Sequence, residues 1–88
     1  MKLAWDEGKR QDTLRTRKLD FADVAHIDWD TAIIFDDERR DYGEHRQVVL
    51  GKLRGRLVVV AFTEREGVIR VISMRKANSR EGKIYDTF

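Results

Sequence analysis

Cysteine and proline are both missing from this 88-residue chain. Without cysteine there is no disulfide framework and no thiolate metal site, so an intracellular compartment is allowed and the expected location is cytoplasmic. Without proline, and with its six glycines scattered, the chain shows no linker, no low-complexity segment and no glycine-rich phosphate loop. Two histidines with no cysteine beside them do not make a zinc site. Asp36-Asp37-Glu38 has the charge to hold a divalent cation but reads as a solvated loop, so no metal and no cofactor is expected. No Ser-His-Asp constellation is apparent. No apolar run approaches the roughly 20 residues that cross a bilayer, and the opening MKLAWDEGK has no signal-peptide core; no membrane partner is expected.

What is present is a hydrophobic fraction of 41% beside a charged fraction of 39%. That suffices for one domain over residues 1–88, which at this size buries roughly 60–65% of its unfolded surface and folds with little margin. The charge is uneven. Residues 1–44 carry 8 Lys/Arg and 12 Asp/Glu, a net −4, and residues 45–88 carry 10 and 4, a net +6. A basic half carried on strands is a footprint for a polyanion, though it can equally be a solvated surface balanced by the acidic half.

Arg56 to Lys76 organises the fold. Leu57 to Phe62 and Val68 to Met74 are β-rich runs joined at Glu66-Gly67, which reads as an antiparallel hairpin. The first run has apolar residues at both parities, so both faces of the strand are expected to be covered. Upstream, Arg54-Gly55 joins it to a strand over 45–53, giving a meander. Lys2 to Trp5 reads as an edge strand. Asp6 reads as the N-cap of a thin-striped helix over 7–17, and Asp20 as the cap of a short helix over 21–26 that buries Phe21, Val24 and Ala25. Thr31 to Phe35 reads as a strand before the charged loop DDERRDYGEHR. Asn78-x-x-Glu81 has the form of a capping box opening a final helix to Asp86, with Ile84, Tyr85 and Phe88 turned to the core. The expected class is α+β: a mostly antiparallel β-sheet, two N-terminal helices and a short C-terminal helix.

The arginines stand out among residues able to do chemistry. Arg46 opens a strand, Arg65 lies at the hairpin turn, and Arg70 and Arg75 bracket the apolar centre of the last strand. Five residues apart, these two are expected on opposite faces of the sheet. Guanidinium beside a sheet core needs an anion, because its planar fork binds phosphate or carboxylate in pairs of hydrogen bonds. That anion is either a ligand phosphate or an internal partner such as Asp36, Asp37 or Glu44. Of the histidines, His45 is the better placed for proton transfer, at a loop–strand junction beside Arg46.

Several segments resemble the BrnT toxins of bacterial BrnT–BrnA type II toxin–antitoxin systems: Trp5-Asp6-x-x-Lys9, Phe21-x-x-Val24, Tyr42-Gly43-Glu44-x-Arg46, Gly51, Arg56-Leu57-Val58-Val59-Val60, Thr63-Glu64-Arg65, Ile69-Arg70-Val71-Ile72-Ser73-x-Arg75-Lys76-Ala77, and Glu81 with Tyr85. The run from Ile69 to Arg75 together with Trp5-Asp6 carries the resemblance. It implies a RelE-like ribonuclease fold, cleavage of messenger RNA that arrests growth, and neutralisation by a BrnA-like antitoxin. It further implies a complex, commonly a heterotetramer, that reaches operator DNA only through the antitoxin. Along the first helix, family members usually carry Asn and then Lys-His, where this chain has Thr13 and Thr16-Arg17. Arg17 can supply the charge of that position but not a histidine's proton chemistry.

On this resemblance the expected activity is metal-independent RNA cleavage. The ribose 2′-OH attacks the adjacent phosphate, so the protein must orient RNA, move two protons and stabilise added negative charge. Arg46, Arg65, Arg70 and Arg75 are the expected charge stabilisers, His45 or Tyr85 the proton-transfer group, and Lys9, Lys76 and Arg80 the further RNA contacts. The rival is a toxin homologue without catalysis that binds the antitoxin and helps regulate transcription. A general nucleic-acid-binding domain is weaker, since it needs stacking aromatics on a basic face and most aromatics here read as core.

Overall fold

The computed structural model describes residues 1–38 and 43–88. Tyr42 of the charged loop therefore lies outside the described residues. The elements are β1 (Lys2–Trp5), α1 (Glu7–Arg17), a 3₁₀ helix (Phe21–His26), β2 (Ile33–Asp36), β3 (Gln47–Leu53), β4 (Arg56–Arg65), β5 (Val68–Lys76) and α2 (Ser79–Asp86). The strands form one sheet in the order β1-β5-β4-β3-β2. β1 runs parallel to β5, and the other neighbours are antiparallel. The class is α+β with a five-stranded mixed sheet.

Local chemistry explains most boundaries. Asp6 accepts from the Lys9 amide and caps α1, which ends at Lys18 in the left-handed region, φ 59°. Asn78 and Glu81 satisfy each other's backbone amides in a full capping box at the start of α2. Both hairpins turn on two residues of positive φ, Arg54-Gly55 at 50° and 81° and Glu66-Gly67 at 54° and 79°. That is the backbone twist a two-residue loop needs to bring twisted strands together. The turns fix register, Leu53 opposite Arg56 and Arg65 opposite Val68.

One sheet face holds the core. Val49, Val58, Val60, Phe62, Ile69, Val71 and Met74 pack there against Leu19, Phe21, Val24 and Ile27. Trp29 meets Phe62 edge-on at 6.0 Å between ring centroids, a favoured aromatic geometry. Gly51 lies on this face because a Cβ would stand 2.7 Å from Ile27 Cγ2 and 3.1 Å from Ala32 Cβ.

Several sequence expectations are corrected. The strands expected to start at Thr31 and His45 begin at Ile33 and Gln47. The second helix is 3₁₀, and Ala25 is exposed beside buried Phe21 and Val24. Phe88 is 84% exposed rather than turned to the core, because α2 ends at Asp86 and the chain runs off the sheet.

The larger correction concerns β5. Ser73 faces Ala61, but Val71 faces Phe62, so Ile72 is an extra residue bulged out of the ladder. A bulge inverts the parity of everything beyond it. Arg70 pairs with Thr63 and Arg75 with Val59, two β4 residues four apart and hence on the same face. Arg70 and Arg75 thus share a face, where plain alternation sets them on opposite ones.

α1 buries no residue and is held by polar contacts. Arg10 lies over the Trp5 ring, 5.7 Å from its centroid, and grips Asp20 with two hydrogen bonds, 2.8 and 3.1 Å. This guanidinium holds the Asp20 carboxyl below its ordinary value, against an opposing push from partial burial, with help from the Ala22 amide. A depressed carboxyl stabilises the fold fully above its ordinary pKa of 3.8 and ceases to as pH falls through the lower folded value. Asp20→Asn should therefore cost stability at neutral pH and converge on the parent as pH drops well below 3.8, as read by urea melts across pH. A constant gap down to the lowest pH would contradict that role.

Candidate functional site

The second face of the sheet carries the unusual features. Its apolar floor is Val48, Leu50, Val59 and Ala61, and α2 reaches over it with Ile84 and Glu81 to leave a cleft of about 540 Å³. The far wall, following β2, is acidic, with Asp36, Asp37 and Glu38; the near wall, from α1 and β5, is Arg17, Ser73 and Arg75.

Arg17 is the hinge of this architecture. It is the last residue of α1, and its Nη1 donates to the Met74 carbonyl at 2.9 Å, joining helix to sheet across 57 residues of sequence. It lines the cleft and two adjoining hollows. One, of about 210 Å³, includes Lys9, Thr13 and Thr16 beside Ile72 and Ser73. The other, of about 370 Å³, is lined by Thr16, Arg17, Lys18, Arg75 and Lys76, four cations with no carboxylate among them. The bulge at Ile72 thus opens directly beneath the end of α1.

Arg75 is not free in this arrangement. Its two terminal nitrogens bind both oxygens of Glu81 at 2.7 Å each. That pairing, ahead of the Asn78 amide, draws the Glu81 carboxyl below its usual value although partial burial opposes the shift. Glu81 therefore closes the capping box of α2 and fastens α2 to β5. Arg46 pairs with Glu44 at 3.3 Å. Arg65 and Arg70 are exposed, and among the described residues their side chains make no hydrogen bond or ion pair.

By strand alternation Arg65 shares the second face with Thr63, Arg70 and Arg75. The β2–β3 ladder extends one residue further, Asp37 N–H donating to the Arg46 carbonyl at 2.8 Å. This puts Arg46 in the row of Thr63 and Arg70, about 10 Å across two strand spacings from Arg70. The rows of Arg70 and Arg75 lie about 13 Å apart along β4, four residues at strand rise. Between them runs the short-side-chain row of Ser73, Ala61 and Val48.

The remaining candidates are more dispersed. His45 Nε2 meets Asp36 Oδ1 at 2.9 Å, so it stands behind the acidic wall of the cleft. Tyr85 does not line the cleft: its hydroxyl donates to Thr31 Oγ1 at 3.1 Å and Lys52 Nζ lies 5.6 Å from its ring centroid. Lys9 lines the smallest of these hollows, Lys76 the cationic one, and Arg80 is exposed on the first turn of α2. Sequence reasoning did not name Thr16, Lys18, Ser73 or Glu81 as site residues, and met Arg17 only as a departure from a family pattern. The one local signal was the capping box at Glu81, which does not announce a second bond to Arg75. Among the described residues no group of three acidic or histidine side chains stands ready for a metal ion, and no helix is long and apolar enough to cross a membrane.

Comparison with individually curated proteins finds no match. Against models of protein families, residues 5–81 match the ribonuclease toxin BrnT of type II toxin–antitoxin systems. The matched span takes in α1, all of β2 to β5 and the start of α2, and with them every wall of the cleft but Ile84. A type II toxin has an antitoxin as its partner, and on this match the chain belongs to the BrnT family of ribonuclease toxins.

Proposed function

We propose that this chain is a cytoplasmic endoribonuclease toxin with a RelE-like fold, which cuts messenger RNA without a metal ion and is neutralised by a BrnA-like antitoxin. The complex is a heterotetramer that reaches operator DNA only through the antitoxin. The observation that carries the reading is the bulge at Ile72, which puts Arg70 and Arg75 on one face of the sheet beside a hollow lined by four cations.

In this reading the scissile phosphate lies over the Ser73–Ala61 row, between the guanidinium groups of Arg70 and Arg75, with Arg17 at its side. The 2′-oxygen forms a bond to phosphorus as the bond from phosphorus to the 5′-oxygen breaks. The negative charge added on the non-bridging oxygens is met by Arg17 and Arg75, already fixed in place and so needing little reorganisation, and by the exposed Arg70. The Met74 carbonyl and Glu81 hold two of these groups in position. His45, oriented by Asp36 at the opposite wall, is the group assigned to proton transfer: it takes the 2′-hydroxyl proton as the new bond forms and gives a proton to the 5′-oxygen as that bond breaks. Arg46 and Arg65 attract the flanking backbone, Lys9, Lys76 and Arg80 add phosphate contacts, and Tyr85 supports α2 through Thr31 rather than touching RNA.

The second reading, an inactive homologue that only grips the antitoxin, is favoured by the engagement of Arg75 with Glu81 and by Ile34 and Phe35, 48% and 39% exposed on edge strand β2. Induction of the chain alone in bacteria separates the two. Arrest with fragmented messenger RNA is the expected result. Normal growth, with the protein intact and tightly bound to its antitoxin, supports the inactive module.

A further inference from the structure

The cleft is electrically lopsided, and a strand bound in it has two ways out. Towards β2 it meets, among the described residues, Asp36, Asp37 and Glu38, a side less favourable to a phosphate backbone than the opposite one. Towards β5 it meets Arg17 and Arg75 and then the cationic hollow of Lys18 and Lys76. Lys18 is also a wall of a further hollow, of about 260 Å³, at the β3–β4 turn, where Arg54 and Arg56 stand. Among the described residues the one carboxylate lining that hollow is Asp23, and Arg54, which meets it at 3.3 Å, keeps its side chain 64% exposed to solvent. Arg56 is exposed, and its side chain has no hydrogen bond or ion pair among the described residues. The left-handed backbone at Lys18 and Arg54 marks the two chain reversals that bring the end of α1 beside the hairpin tip.

We infer that Lys18, Arg54 and Arg56 form a second RNA-binding site, a track along which the sugar-phosphate backbone of single-stranded RNA leaves the cleft. This rests on the ribonuclease reading above. Among the described residues no aromatic ring lines the hollow, whose apolar members are the aliphatic Leu19 and Leu53. The track therefore offers charge without a stacking platform, and its contacts are to phosphate and independent of sequence. It extends the substrate from the cut linkage to a strand several nucleotides longer on one side.

The test uses the full chain and a fluorescent single strand of about 12 nucleotides, its riboses 2′-O-methylated so that it cannot be cut while binding is measured. Arg54→Asn with Arg56→Gln removes both charges, asparagine being suited to the left-handed turn position. Binding of the long strand is expected to weaken, and the slope of log affinity against log salt to flatten by about 1.4, roughly 0.7 for each lost contact to a single strand. Arg56→Gln alone, at an exposed strand end, flattens it by about 0.7. Cleavage of an unmodified trinucleotide, too short to reach the turn, is unchanged in both variants. An unaltered slope and affinity for the long strand overturn the track. If the parent binds the long strand, loses slope in the variants, and yet cuts no RNA of either length, the track stands and the ribonuclease reading falls.

Discussion

If the proposed site is right, Arg75→Ala is expected to slow RNA cleavage by about 10²-fold, the cost of removing one preorganised donor from a site of developing negative charge. A larger loss, towards about 10³-fold, is expected for Arg70→Ala. The two arginines arrive at the site differently. Arg70 is exposed and makes no ion pair with any described residue, so its whole charge is offered to the substrate. Arg75 is shared with Glu81 through two 2.7 Å hydrogen bonds, so the substrate phosphate must divide it with a carboxylate. That sharing holds the loss to the lower end of the range known for such donors, about 10²–10³. Both variants should keep the parent's circular dichroism, since neither side chain is part of the buried core. Folded variants that cut RNA at the parent's rate would remove these arginines from the chemistry.

Phe21→Ala has the largest expected effect on stability. The ring is fully buried, 0% exposed, where the 3₁₀ helix meets the core face of the sheet. Truncating a buried phenylalanine costs about 3–5 kcal/mol. A chain of 88 residues has a total stability of about 4–13 kcal/mol at typical values per residue. The variant is thus expected to lose about a quarter or more of its stability, and nearly all of it where the total is small. In a thermal melt that is a fall of about 12 °C or more. A fall of only a few degrees would mean that the neighbours collapse into the space and that this helix is not the lid of the core.

The parts of the fold legible in sequence were those decided by a few adjacent residues. Asp6 and the Asn78–Glu81 box started their helices through their own side chains. Arg54-Gly55 and Glu66-Gly67 joined strands because glycine supplies one of the two positive φ values each turn needs. The bulge at Ile72 was not legible: Arg70 to Arg75 contains no glycine and no turn signal, and β-branched neighbours permit either parity. Strict alternation therefore separates Arg70 from Arg75, although the family resemblance makes both expected charge stabilisers of one site. The contact from Arg17 to the Met74 carbonyl spans 57 positions and left no mark on local pattern, so the residue joining three hollows could not be found from spacing. Glu81 was visible as a cap, but its hold on Arg75 depends on how α2 lies across β5, which only packing decides.

The most direct measurement is the chemistry of the ends left on an RNA oligonucleotide after incubation with the purified chain in the presence of EDTA. Attack by the 2′-oxygen under guanidinium stabilisation leaves a 2′,3′-cyclic phosphate on one fragment and a 5′-hydroxyl on the other, with a rate that chelation does not change. Fragments ending in 3′-hydroxyl and 5′-phosphate, or cleavage that EDTA abolishes, would contradict a site built from arginines on one face of the sheet.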